Sequence, residues 1–266
     1  MRRFWSDASA EAAAGGFAVL LDGKPVRTPA GAALAVPYRP LAEAIAGEWR
    51  VAGRGPERGP ERGPERGPER GPERGPERAE DGADTAGQVR PQDLPLTGLA
   101  STALDRIAPD LGGSVAALAR YAETELLCYR ADQPAELARR QHRLWQPQLD
   151  WAARVLDARL AVTVGVMPCR QEPAALAALA AALARLDPFQ LAATSVAVAA
   201  LGSLVLGLAL LHGRIDAAGA AAASLLDEHF QAALWGEDAE AAMRRARITE
   251  EVALAARFLD LCRHAP

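Results

Sequence analysis

The residues of this 266-residue chain that could do chemistry are four histidines, three cysteines and a few clustered carboxylates. Their spacing suits neither metal binding nor catalysis. His142, His212, His229 and His264 have no His-x-x-x-His or Cys-x-x-Cys partner, so a zinc site would have to assemble from scattered ligands. There is no Gly-x-Ser-x-Gly, no phosphate-binding P-loop and no Gly-x-Gly-x-x-Gly after a strand. Neither a metal nor a cofactor is expected. Asp227, Glu228 and His229 are adjacent, but helical neighbours point about 100° apart and cannot converge on one atom. The one enzyme-like set that can be assembled is Glu123, Glu125, Arg130, Asp227 and His229, brought together across a bundle.

Drawn as a helical wheel, the segment LLDEHFQAALWG is unusual. Leu226, Phe230, Ala233 and Leu234 gather on one side as a core stripe, while Glu228, Gln231 and Trp235 gather on nearly the opposite side. A tryptophan on a polar face beside a carboxylate and an amide has the composition of a protein-binding hot spot. The other reading is that a second helical layer covers Trp235. A second cluster holds Tyr121, Glu125 and Tyr129, which share a face if one helix runs that far, followed by Arg130, Arg140, Gln141, Trp145 and Trp151. Such density of Tyr, Arg and Trp suits an interface or a domain junction.

The elements that must position these residues are mixed at first and helical later. Residues 17–21 (FAVLL) form an apolar strand, Asp22-Gly23 is a two-residue hairpin turn, and residues 26–28 return as a partner strand with Pro25 at an edge. ALAVP makes a third strand. Leu41, Ile45 and Trp49 recur every fourth residue on one helix face, and a further helix follows Pro95 with Leu96, Leu99, Ala103 and Ile107. From Ser114 onward the pattern predicts helices over about 114–126, 135–157, 173–186, 189–212, 216–235 and 237–262, with a strand at 160–166 and prolines 134, 147, 168, 173 and 188 at the joints.

Between these parts lie six uninterrupted copies of Gly-Pro-Glu-Arg, residues 55–78. A proline in every fourth position is incompatible with a helix, and no apolar side chain is present to offset the entropy of ordering, so 54–90 reads as an exposed, disordered loop expansion. Residues 188–213 carry no charge other than His212 and are long enough to span a bilayer. Their abundance of Ala, Gly, Ser and Thr favours a buried central helix instead, with 191–211 as the candidate membrane anchor in the alternative.

Composition narrows the remaining classes. Half of the residues are apolar, which is enough for a substantial core, and the formal charge of −4 offers no basic field for nucleic acid or an anionic membrane. Three widely separated cysteines fit a reducing compartment, and the N-terminal segment has neither the apolar run of a signal peptide nor the acid-poor composition of a transit peptide. A chain mature from Met1 and located in the cytoplasm is therefore expected.

Taken in order, the blocks RRFW, LDGKPVRTPAGAALAVP, LAEAIAGEW, PLTGLASTALDR, YAETELLCYRA, residues 141–151, SVAVAALGSLVLGLALL and LLDEHFQAALWGEDAE resemble the ATP synthase assembly chaperones that escort the alpha subunit of the F-one sector. The resemblance covers nearly the whole chain outside the repeat. It implies an α+β fold: an N-terminal domain over 1–117, with a small sheet, helices and the repeat insertion, then an orthogonal α-helical bundle over 118–266. It further implies a non-enzyme, monomeric when free, that transiently binds the alpha subunit and shields its beta-facing surface until the hexamer forms. The family's pattern of acid, aromatic-Gln and Trp-Gly falls on Glu228, Phe230, Gln231, Trp235 and Gly236. With Asp227, this segment is the expected partner-binding site, and Glu228 is the acid on which function depends. Trp49, Arg130, Gln141, Trp145 and Gly236 are expected to serve the fold. Gly98 and Ser101 stand where relatives favour arginine and asparagine, and His229 where they favour an acid.

Overall fold

The computed structural model describes residues 1–53 and 88–263. The repeat at 55–78 lies outside the described residues. Of the 54–90 loop expansion only 88–90 are described, and there the expectation of disorder fails. Val89 is buried, its N–H donates to the Met1 carbonyl (2.7 Å), and the Met1 amine donates to the Val89 carbonyl (2.8 Å). The architecture is α+β, a small N-terminal sheet followed by helices, as the sequence implies.

The sheet is built around β2 (Gly16–Leu21), which pairs antiparallel with β1 (Ala8–Ala13), β3 (Lys24–Pro25) and β4 (Ala35–Val36). Asp22 and Gly23 both have positive φ, as a type I′ hairpin turn requires. The return strand is shorter than the expected 26–28, although Val26 still donates to the Val19 carbonyl (2.9 Å). β1 is alanine-rich and carries no strand signal of its own. It is a strand because the Ala14-Gly15 turn folds it onto β2, and at Gly16, the first residue of β2, a Cβ would lie 2.2 Å from the Val36 carbonyl oxygen.

On this sheet lies α1 (Arg39–Val51), burying Leu41, Ile45 and Trp49. It is welded to α2 (Pro95–Thr102) by the pair Glu48-Trp49. The Glu48 carboxylate accepts from the N–H groups of Leu96 (2.7 Å) and Thr97 (3.0 Å) at the start of α2. The Trp49 indole donates to the Thr97 hydroxyl (3.1 Å), and the Trp5 indole donates to the Trp49 carbonyl (2.9 Å). Trp49 thus joins α1, α2 and the N-terminal segment.

After a π-helical turn at Ala103–Ile107 come α3 (Leu111–Ala119), β5 (Tyr129–Arg130) and α4 (Ala135–Val155). The helix expected over 114–126 ends at Ala119 and gives way to 3-10 turns, which point Glu125 inward while Tyr121 stays exposed. The shared face of Tyr121, Glu125 and Tyr129 therefore does not form. Pro147 lies inside α4 and is not a joint. Of the strand expected over 160–166, only β6 (Thr163–Val164) pairs, parallel to β5.

Helices α5 (Pro173–Leu183), α6 (Pro188–Leu201), α7 (Leu204–Leu211), α8 (Ala217–Ser224), α9 (Leu226–Trp235) and α10 (Ala239–Cys262) complete the chain. The apolar segment 189–212 is two helices, not one. Gly202 ends α6 with φ +62°, and the Ser203 hydroxyl caps α7 by accepting from Leu206 N–H (3.0 Å). No helix among the described residues is long and apolar enough to cross a membrane. The segment 216–235 likewise breaks at Leu225 into α8 and α9.

α6 sits at the centre, packed on α10, α7 and α2, and one apolar cluster runs from Trp5 to Cys262. Where α7 begins inside this cluster, Glu125 supplies its acceptors. The carboxylate takes bonds from the Ser203 hydroxyl, Val205 N–H (3.1 Å) and Leu127 N–H (3.3 Å). Glu125→Ala would strand these donors in the core, so it is expected to lower stability by about 3 kcal/mol in urea unfolding. Burial also raises the Glu125 pKa. The folded chain therefore holds this proton more tightly than the unfolded one. The group favours folding below the ordinary value of 4.5 and loses that contribution as pH rises from there through the raised value.

Candidate functional site

The C-terminal arms of the bundle are positioned by α4. Gln141 is buried and bridges two elements: its Oε1 accepts from Ala131 N–H (2.8 Å), and its Nε2 donates to Asp227 Oδ1 (2.8 Å) at the start of α9. One turn on, the Trp145 indole donates to the Ala223 carbonyl (2.8 Å) and ties α4 to the end of α8. Arg130 is buried over the Trp145 ring, its guanidinium carbon 5.3 Å from the ring centroid, and it donates to Gln146 Oε1 (3.3 Å). Burial pushes its pKa below the usual arginine range, and the indole face offsets part of that cost. Gln141 and Trp145 tie α4 to the starts and ends of its neighbours, and Arg130 packs against them.

α9 packs on α4 and α8 through Leu226 and Phe230, and the Arg140 guanidinium lies 5.4 Å from the Phe230 ring centroid. Asp227 and Glu228 in the first turn suit the positive end of the helix dipole. Burial stops after Ala232, and every side chain from 233 to 240 is exposed. Ala233 and Leu234, expected in the core stripe, are therefore in solvent, because α9 outruns the layer on which it packs. Phe230 is covered and supports the helix from beneath.

Beyond Trp235 the chain turns at Gly236, whose φ of +93° favours glycine, and α10 starts with Asp238 capping Ala241 N–H (2.8 Å). Two ion pairs brace this elbow. Arg245, itself buried, pairs with Glu237, and Arg244 on α10 pairs with Glu228 on α9. Along the first turns of α10 runs a shallow depression of about 520 Å³ that includes Asp238, Met243, Arg244 and Arg247.

Three large apolar side chains of the elbow are exposed. Trp235 is 79% exposed, Met243 68% and Leu234 58%, with Gln231 beside them on α9. The other four tryptophans are all buried, with exposures of 7% or less. Trp235 is thus the one tryptophan left in water, and an exposed indole is a residue type enriched at binding hot spots. Leu234, Met243 and Arg244 were missed by the wheel. Only the glycine turn and the Asp238 cap, which fold α10 back from α9, could have pointed to them.

The enzyme-like set does not converge. Glu123 is exposed on a 3-10 turn, Glu125 is wholly buried and engaged by α7, Asp227 is held by Gln141, and His229 faces solvent. Among the described residues no group of three or more His, Cys, Asp or Glu is placed to hold a metal ion. Replacing the bridging amide by Gln141→Leu would leave Ala131 N–H and Asp227 unpaired. Stability is expected to fall by about 2 kcal/mol, measured by chemical denaturation, with helical content below the transition unchanged.

Residues 2–153 match the family model of the ATP12 chaperone protein. Solved structures of similar proteins extend the likeness to the whole fold. Atp12 from Paracoccus denitrificans is 39% identical, with a TM-score of 0.82 and 98% of each chain covered. An aspartate-to-lysine mutant of the same bacterium's Atp12p gives 39% identity and a TM-score of 0.83, again with 98% of each chain covered. A protein of Agrobacterium tumefaciens is 34% identical, with a TM-score of 0.81, over 98% of this chain and 86% of its own.

Proposed function

The chain belongs to the ATP12 chaperone family, and from that premise we propose that it is an ATP synthase assembly chaperone which transiently binds the F-one alpha subunit. It shields the surface of that subunit that later meets the beta subunit, and it leaves when the hexamer forms. The observation that carries this reading is the α9–α10 elbow, where Leu234, Trp235 and Met243 are exposed on a frame braced by two ion pairs. An unassembled subunit exposes apolar area too large to be safe in water, and a rigid aromatic platform with charged groups around it covers such area reversibly.

Within this reading Gln231 and Trp235 face the partner, with Glu228 beside them on the same arm. Asp227 and Phe230 set the helix from below, Gly236 sets the turn, and Trp49, Arg130, Gln141 and Trp145 hold the frame. The protein works without catalysis or cofactor, as a monomer in the cytoplasm until it meets the subunit. Neither alternative gathers support: the carboxylate at the heart of an enzyme site, Glu125, is fully engaged by α7, and the 191–211 segment breaks at Gly202.

Purified alpha subunit titrated with the full chain tests the proposal. Trp235→Ala is expected to weaken binding at least about tenfold with far-UV dichroism and denaturation midpoint unchanged, and Glu228→Lys to weaken it as well. Undiminished binding by Trp235→Ala would remove the elbow as the contact surface. Absence of binding by the unaltered chain would remove the alpha subunit as the partner.

A further inference from the structure

We infer that Arg244, rather than Glu228, is the charged group of the elbow that meets the bound chain, that Glu228 is its positioning residue, and that the bound chain presents a carboxylate there. The inference rests on the partner-binding reading of the elbow. Glu228 Oε2 is closed off from solvent and lies against Arg244 Nη2. The Glu228 side chain is 33% exposed and that of Arg244 57%, so an incoming surface meets the guanidinium before the carboxylate.

A guanidinium carries five N–H donors in a planar fork. Glu228 pairs with one of its terminal nitrogens, and Arg244 lines the α10 depression together with Met243. Its neighbours are held differently. Arg245 is buried against Glu237, and Arg247 pairs with Glu251 (2.8 Å) on its own helix. Arg244 is the exposed arginine of this segment whose partner lies on the other arm of the elbow. Glu228→Lys would set an ammonium against this guanidinium and splay the two arms, so charge reversal damages the site even if residue 228 never touches the partner.

The test is the affinity of the full chain for purified alpha subunit across a set of variants, each checked for its denaturation midpoint. Arg244→Ala is expected to lose at least about tenfold, and Arg244→Lys, which keeps the charge without the fork, to lose less. Glu228→Gln should lose less than Arg244→Ala, and the double variant should bind no more weakly than Arg244→Ala alone. Binding by the unaltered chain should weaken with added salt, and Arg244→Ala should flatten that dependence, which a brace alone would not do. The reversed pair Glu228→Arg with Arg244→Glu should restore the midpoint but not the affinity. Recovery of full affinity by the reversed pair would overturn the inference and make the pair a brace only. Full affinity in Arg244→Ala with loss in Glu228→Gln would overturn it in favour of direct contact by Glu228. Full affinity in Trp235→Ala and in every variant would reject the elbow itself, an outcome distinct from loss in Trp235→Ala alone, which rejects only the role of the arginine.

Discussion

The first N–H groups of a helix have no partner within it, and in this chain helices begin inside the protein, where water does not supply one. At three such inward starts among the described residues a carboxylate supplies the acceptor. Glu48 caps α2, Glu125 caps α7, and Asp187 caps α6 by accepting from Phe189 N–H (2.8 Å) and Gln190 N–H (3.0 Å). The last is also bound by the Tyr38 hydroxyl, whose pKa rises through burial and through the neighbouring carboxylate. With these starts fixed, α6 and α7 can lie in the middle of the apolar cluster, and α8 and α10 can close over them.

The same constraint shapes the charge state of these groups. Glu48 and Glu125 are engaged by backbone donors, and in both burial raises the pKa against the hydrogen bonds that lower it. The bundle ends in an elbow whose inner side is held by Gln141, Trp145 and Phe230 and whose outer side is left to a tryptophan, a methionine and a leucine. Rigid support below and apolar area above is the arrangement that lowers the ordering cost of binding.

Much of this was legible in the residues themselves. The hairpin at Asp22-Gly23, the amphipathic face of α1, the start of α2 at Pro95 and the prominence of α9 all follow from local pattern. Legibility failed where tertiary contacts override it. β1 is an alanine run made into a strand by β2. Glu125 turns inward because α7 needs its carboxylate, which no periodicity reveals. Two long apolar stretches read as single helices because Gly202-Ser203 and Leu225 interrupt a pattern of burial that continues on both sides. At the site, the wheel placed Trp235 and Glu228 on the outer face, yet it assumed a packing layer along the whole helix and so put Leu234 inside. Arg244, sixteen residues from Glu228, is brought to it only by the turn at Gly236.

Hydrogen–deuterium exchange of the full chain, with and without purified alpha subunit, tests the central claim most directly. Slowed exchange confined to residues 226–250, across α9, the glycine turn and the start of α10, is the predicted result. Protection elsewhere with none on this elbow would contradict it. The groove lined by Pro29, Leu94 and Thr102, or the exposed stretch of Val164, Val166 and Met167, would then be the surface to examine.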